Sequence, residues 1–331
     1  MFRKMFRSWM SFSGMVEVTH CLMSNHFHLL LWVPPPQELE LGELLSRLKK
    51  VWPDQRVQEW QEAYERAPES RKKAMIQTQQ ERMGNLPEFM RVLKQGFSRW
   101  YNHHHNRSGA LWDGRYRSVV VDTNPLALLS VSAYIDLNPL RAGMVKDPVH
   151  YPWCGYGAAC AGDGEARNGL DGLIRLSRGI APRCFLQLRR KALKAEGVTW
   201  REVAGVLEEE EGMRAAPDSW KEVQSAYRIW LLEKGKAVDA STAAVQAPYR
   251  CRKGFSPEQV IAEFERMGHV PLQHLLRARV KGFSRCVALG GQEFLEELFY
   301  SHRSCFADSR SKVAKPFASN ACGLQVLRQI N

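Results

Sequence analysis

From Gly14 to Pro34 the chain reads as two strands and a turn: Val16, Val18 and Leu22, then the polar Met23-Ser24-Asn25, then an almost unbroken apolar run from His26 to Val33. Strand-forming residues on both sides of a short polar turn predict a β-hairpin. A second strand apolar on both faces predicts a central place in its sheet. Pro34-Pro35-Pro36 ends it. Polar, helix-forming residues dominate from Leu39 to about Arg82, and Pro53 and Pro68 cut them into Glu43 to Lys50, Gln55 to Arg66 and Ser70 to Arg82. This pattern predicts an exposed helical insertion over about residues 38–85. Phe89, Met90, Leu93, Phe97, Trp100 and Tyr101 then recur at the spacing of one helix face. After a polar turn at Asn102 to Gly109, strand character returns from Ala110 to Val121. A further helix is predicted from Pro125 to Asn138, capped by Asn124, with Pro125 at its first position and Pro139 as its stop.

Gly155 to Gly172 is rich in Gly and Ala and carries the clearest linker signal in the chain. It divides the sequence into residues 1–157, a linker over 158–172, and a mainly helical region over 173–331. The last region is helical in character from Leu173 to Lys236, with the acidic run Glu208 to Glu211 as a solvated face. A loose stretch at about Ala237 to Gly254 precedes a good helix start at Ser256-Pro257-Glu258-Gln259. Helices are then predicted to about Met267, from Leu272 to Val280 and from Gln292 to Ser304. There is no internal repeat.

At 331 residues and 44% hydrophobic, the chain is long enough for a good core in one domain plus a second, or in two smaller ones. A net charge of +12 and a pI near 9.4 point to a polyanionic partner, though charge alone does not separate a nucleic-acid binder from a merely basic soluble protein. The eight cysteines include no C-x-x-C pair, so neither a zinc ribbon nor a disulfide framework is signalled, and they read as buried thiols of a reducing compartment. The basic start Met1 to Arg7 is followed by apolar positions broken by Ser11, Ser13, Gly14 and Glu17, too short and polar for a signal peptide. No window reaches the roughly 18 apolar residues of a membrane span. The expectation is a cytoplasmic protein with no membrane partner.

Two stretches more than a hundred residues apart carry candidate chemistry. In a strand, residues i and i+2 face one side, so His26 and His28 project together. Two neutral imidazoles so placed are half of a metal site, or else two hydrogen-bonded structural histidines. On a helix, residues i and i+4 share a face, so Tyr134 and Asn138 point the same way. The side-chain oxygen of Asn138 is a hard ligand able to complete a two-histidine site for Mg²⁺ or Mn²⁺. Because a residue before proline is biased away from helical angles, Asn138 is expected to be the last helical residue. Its plain alternative is a helix-terminating Asn, and that of Tyr134 a core residue. A divalent ion on His26, His28 and Asn138 would polarise a scissile phosphate, and Tyr134 would attack it.

These residues resemble the HUH superfamily of single-strand DNA nucleases, and within it the REP-associated tyrosine transposases. Their Met-Ser-Asn-His-x-His-Leu-Leu pattern stands here as Met23 to Leu30, and their Tyr-Ile-x-x-Asn-Pro-x-Arg-Ala-Gly pattern as Tyr134 to Gly143. Between them lie Asn102, Arg107, Gly109, Leu111-Trp112, Arg115-Tyr116 and Ser118, and Tyr151-Pro152-Trp153 follows in register. The resemblance spans roughly residues 1–157. It implies an α+β fold with a ferredoxin-like core whose central strand carries the two histidines, Mg²⁺ or Mn²⁺ on His26, His28 and Asn138, and Tyr134 as nucleophile. A 5′-phosphotyrosine intermediate and single-stranded DNA with palindromic hairpins as substrate are implied with it, and a homodimer is compatible. In the family a first strand and most of a first helix precede the segment matching Phe2 to Gly14. The resemblance therefore implies that the strand beside the histidine strand is missing here, leaving an open edge, with a truncated or misassigned start as the favoured explanation.

For gripping DNA, Arg107, Arg115 and Arg117 are the leading candidates, interleaved with Trp100, Tyr101, Trp112 and Tyr116. The plain reading of Trp100 and Trp112 is core. His103-His104-His105 cannot all converge on one ion from a turn, and they read as an exposed DNA-contacting loop. Arg141 is a phosphate contact or structural, and Gly143 supplies a backbone angle that glycine takes easily. The C-terminal Arg and Lys residues fit a DNA-binding or a protein-interaction module equally. Three readings follow: a metal-dependent single-strand DNA transposase or endonuclease, a catalytically inactive transposase-derived DNA-binding protein, and a metallohydrolase using water. The last lacks further ligands, since Asp136 falls on a different helix face from Tyr134.

Overall fold

The computed structural model describes residues 1–35, 38–177, 219–234, 255, 286–306, 315–316 and 325–328. Among these are eleven α-helices and six strands, an α+β architecture. The chain divides into two compact units, one of residues 1–17 and 31–117, the other of residues 18–30 and 118–331. No helix among the described residues is long and apolar enough to cross a membrane.

The first unit is helical. Helix α1 (Phe2–Ser13) buries Phe6, Met10 and Phe12, and Gly14 ends it in the left-handed conformation, φ +71°, its N–H returning to the Met10 carbonyl. The segment expected to be helical does form α2 (Leu41–Leu48), α3 (Asp54–Glu65) and α4 (Glu69–Gln80). It is not simply an exposed insertion, however. Leu44, Leu48 and Val57 share a buried cluster with Phe12, ringed by Trp9, Trp60 and Ile76, because the apolar stripe of α1 needs a partner to cover it. Helix α5 (Leu86–His104) starts at Asn85, whose side chain accepts from the Glu88 N–H, and packs Phe89 edge-on to Phe6 at 6.0 Å.

The strand expected from Ala110 to Val121 shrinks to β3 at its far end (Val120–Val121). The apolar positions before it serve α5 instead of a sheet. Trp112 lies 5.9 Å from the Phe97 ring and donates its indole N–H to the Lys94 carbonyl.

Most of the predicted hairpin belongs to the second unit. Strand β1 (Val16–Leu22) pairs with β2 (Phe27–Trp32), and the Met23 N–H bonds to the His26 carbonyl across the turn. The other side of β1 meets the stretch from Tyr151: the Leu22 N–H donates to the Trp153 carbonyl, the Tyr151 hydroxyl donates to the Leu22 carbonyl, and the Cys21 and Cys154 backbones pair in an antiparallel β-bridge, both thiols free.

Helix α6 (Pro125–Asp136) stops two residues before the predicted helix does, and Asn138 and Pro139 open the next short helix, α7 (Asn138–Arg141). Pro139 has no N–H to give the Ile135 carbonyl four residues back. The Asn138 side-chain amide supplies that donor, at 3.2 Å, and a second to the Tyr134 carbonyl at 2.9 Å. Asn138 is thus the first residue of a helix instead of the last. Gly143 has φ +72°, as expected.

The expected linker is core. Residues 158–172 fall in α8 (Gly155–Cys160) and α9 (Gly164–Ser177), where Ala158, Ala159, Ala166 and Leu170 are buried against Leu129 and Ala133 of α6. The small residues there serve close approach, not flexibility. A Cβ on Gly157 would meet the Tyr151 carbonyl oxygen at 2.1 Å, and one on Gly155 would meet Thr19 Oγ1 at 2.1 Å. Helix α10 (Trp220–Lys234) adds Val223, Tyr227 and Leu231 to the same core.

The supposed boundary near residue 157 is therefore crossed by packing. It is crossed again by a four-stranded sheet, in which β3 runs parallel to β4 (Cys286–Gly290), and β4 and β5 (Lys315–Pro316) both pair antiparallel with β6 (Gln325–Arg328). Helix α11 (Gln292–Ser301), where a helix from Gln292 to Ser304 was expected, seals one side with Leu295 and Phe299. The helices expected near Met267 and over Leu272 to Val280 lie outside the described residues, as does the acidic run Glu208 to Glu211.

Candidate functional site

The hairpin turn and the end of α6 bring three of the predicted residues together. His26 sits at the turn, exposed, and His28 one strand step on, partly buried. Their rings are 5.0 Å apart and perpendicular, and the His28 ring is 5.5 Å from that of Tyr134. Arg141 lies over the opposite partner of that contact, its guanidinium 5.5 Å from the Tyr134 ring centroid. His26 precedes β2 instead of lying on it, yet its ring meets that of His28, and α6 delivers its tyrosine to His28.

His26 and His28 each offer a ring nitrogen of the kind a divalent ion takes. Asn25 Oδ1 lies 2.7 Å from His26 Nδ1, which assigns the ring proton to Nδ1 and leaves Nε2 as the lone pair, the outer-shell arrangement that orients a metal-binding histidine. Burial, and then the neighbouring His26, pushes the His28 pKa down to about 4, so that ring is neutral at neutral pH, the form that binds metal. Because both amide protons of Asn138 are spent on the Tyr134 and Ile135 carbonyls, its Oδ1 is the atom left for a ligand role. Among the described residues no three His, Cys, Asp or Glu side chains gather.

Tyr134 itself is harder to ionise than a free phenol. Burial raises its pKa, Arg141 opposes this, and Cys21 adds to it. A nucleophilic role therefore requires that its proton be lost as the new bond forms.

Two residues from Tyr134, Asp136 turns the other way, into the core, where it is fully buried. Its carboxylate accepts from Thr19 Oγ1 at 3.0 and 3.1 Å, from the Tyr156 N–H at 3.0 Å and from the Tyr227 hydroxyl at 2.6 Å. Desolvation still raises its pKa to about 6 against these hydrogen bonds. Asp136 is thus committed to β1, α8 and α10. It also fixes the rotation of α6, so that Tyr134 is presented to His28. Thr19, Tyr156 and Tyr227 are supporting residues that the sequence reading did not find. The available signal was a carboxylate inside the apolar run from Ala127 to Leu137, which must find buried donors.

Arg107, Arg115 and Arg117 are exposed in the first unit, and only Arg141 joins the tyrosine site. The three adjacent histidines His103, His104 and His105 are exposed at the end of α5.

No protein-family model matches the chain, and neither a curated protein nor a solved structure matches it.

Proposed function

We propose that the chain is a metal-dependent single-strand DNA transposase or endonuclease of the one-tyrosine HUH type, built on a ferredoxin-like core. The observation that carries this is the convergence of His26, His28 and Tyr134 through ring contacts of 5.0 and 5.5 Å, from a strand and a helix over a hundred residues apart in sequence. His26, His28 and Asn138 would hold Mg²⁺ or Mn²⁺, which when bound would polarise the scissile phosphate and offset charge in the transition state. Asn25 orients His26, and the buried wall around His28 keeps its imidazole neutral.

Tyr134 Oη forms a bond to phosphorus as the bond from phosphorus to the 3′-oxygen breaks. The phenolic proton leaves to solvent and the departing 3′-oxygen takes one up. Arg141, which favours the phenolate, assists. The product is a 5′-phosphotyrosine and a free 3′-hydroxyl, and attack by a 3′-hydroxyl reverses the step without ATP. The expected substrate is single-stranded DNA flanked by palindromic hairpins.

Incubating the protein with Mn²⁺ and a labelled hairpin oligonucleotide should give cleavage and a protein–DNA adduct that survives denaturing electrophoresis. Full adduct formation by Tyr134→Phe would show that the nucleophile is another group. The second reading, an inactive DNA-binding relative, is favoured by the structural use of the Asn138 side chain at the α6–α7 junction, where it donates to the Tyr134 and Ile135 carbonyls. It predicts salt-sensitive hairpin binding that survives both His26→Ala and Tyr134→Phe and never yields an adduct.

A further inference from the structure

The last turn of α5 carries two aromatic pairs side by side. Trp100 and His104 stack with ring centroids 5.1 Å apart and planes within 16°, and Tyr101 lies 4.2 Å from His105. Both pairs use the i,i+4 spacing that puts side chains on one helix face. The chain then folds back through Asn106, at φ +48°. The Arg107 N–H donates to the Asn102 carbonyl at 2.8 Å, and the Asn102 side-chain amide donates to the Gly109 carbonyl at 2.9 Å. This brace leaves the Arg107 guanidinium 5.8 Å from the Tyr101 ring centroid.

Charge accompanies the rings. Arg99, Arg107, Arg115 and Arg117 are exposed, and none is in a salt bridge with a carboxylate among the described residues. From Lys94 to Ser118 the sole acidic residue is Asp113. Unpaired guanidiniums beside the exposed rings of His104 and His105, backed by half-buried Trp100 and Tyr101, suit a ligand that offers phosphates and unstacked π-faces together, and a duplex hides the latter.

We propose that this end of α5 is a stacking platform for single-stranded nucleic acid. Unpaired bases continue the Trp100–His104 stack and lie against the exposed, tilted His105 ring while phosphates lie on Arg107 and its neighbours. The inference rests on the reading above only for the class of ligand, and it concerns the first unit alone.

The test uses the full chain in EDTA, with fluorescein-labelled single-stranded DNA of roughly a dozen nucleotides and the duplex of the same sequence, read by anisotropy. Single strand should bind about tenfold or more tightly than duplex. The double substitution His104→Ala with His105→Ala, at two exposed positions, should weaken single-strand binding by about tenfold to a hundredfold and duplex binding by no more than about threefold. Replacing both histidines by Phe, which keeps the flat rings, should restore it. Arg107→Gln should reduce the slope of log affinity against log salt by about 0.7. Equal affinity for duplex, failure to bind either DNA, or indifference to the double alanine change would overturn the proposal. The Mn²⁺ adduct assay scores the strand-transfer reading separately. An adduct without stacking-dependent affinity sinks the platform alone, and stacking-dependent affinity without an adduct supports the platform and sinks strand transfer.

Discussion

Replacing Tyr227 by Phe removes one oxygen from a residue that is fully buried and leaves its ring packed 5.7 Å from that of Tyr156. What is lost is a 2.6 Å hydrogen bond to Asp136, one of three donors that hold the carboxylate in the core. A hydrogen bond to a charged group contributes about 1.5–3 kcal/mol, and the buried acceptor has no water to replace it. For a unit of this size that corresponds to a fall in Tm of roughly 3–10 °C. Asp136 has its folded pKa raised to about 6 from 3.8, so the stability it contributes is complete below about pH 4 and is lost as the pH rises through 6, by up to ~3 kcal/mol. Tyr227 lowers that pKa, so its removal pushes the midpoint of the loss to higher pH and deepens it. The Tyr227→Phe penalty should therefore be larger at pH 7.5 than at pH 5. Urea unfolding followed by tryptophan fluorescence in EDTA measures both. In an Asp136→Asn background the same change should cost less than half as much. A Tyr227→Phe protein that unfolds within about 0.5 kcal/mol of wild type at both pH values would refute the argument that α10 holds the buried charge of α6.

Gly157→Ala places a Cβ 2.1 Å from the Tyr151 carbonyl oxygen and 2.7 Å from its carbon, so it should destabilise by more than about 2 kcal/mol in thermal unfolding. Gly172→Ala, inside α9 with nothing within 4 Å, should instead stabilise by about 0.5–1 kcal/mol. Arg141→Gln removes the charge that favours the Tyr134 phenolate and should slow adduct formation about tenfold, which a time course in Mn²⁺ would measure. Asn138→Ala leaves the Ile135 carbonyl without a donor and should cost about 1 kcal/mol even in EDTA, a stability loss that a ligand role alone would not produce.

The hairpin and the amphipathic α5 were legible in the sequence because they rest on local periodicity, which the chain itself carries, whereas the meeting of Tyr134 with His28 was expected only from the resemblance. The Gly- and Ala-rich stretch at 155–172 was misread for a physical reason. Small residues signal flexibility when they are solvated and close packing when they are buried, and composition does not separate the two. The Ala110 to Val121 strand failed similarly, since alternating apolar residues fit a loop laid on α5 as well as a sheet. The Asn138-Pro139 junction shows a finer limit. A proline was expected to end the helix, but the side chain before it donates to the carbonyl that the proline cannot reach. Tyr227 was invisible for want of any local pattern, since its partner is 91 residues away.

That separation also sets an order of events during synthesis. Asp136 leaves the ribosome long before Tyr227, so the carboxylate must stay solvated, or find only Thr19 and the Tyr156 amide, while the intervening chain is made. The corner of the molecule that aims Tyr134 is completed late, by a helix outside the stretch that carries the chemistry. Ribosome-bound chains halted before residue 220 should accordingly show α6 open to proteolysis, and chains carried past α10 should show it protected.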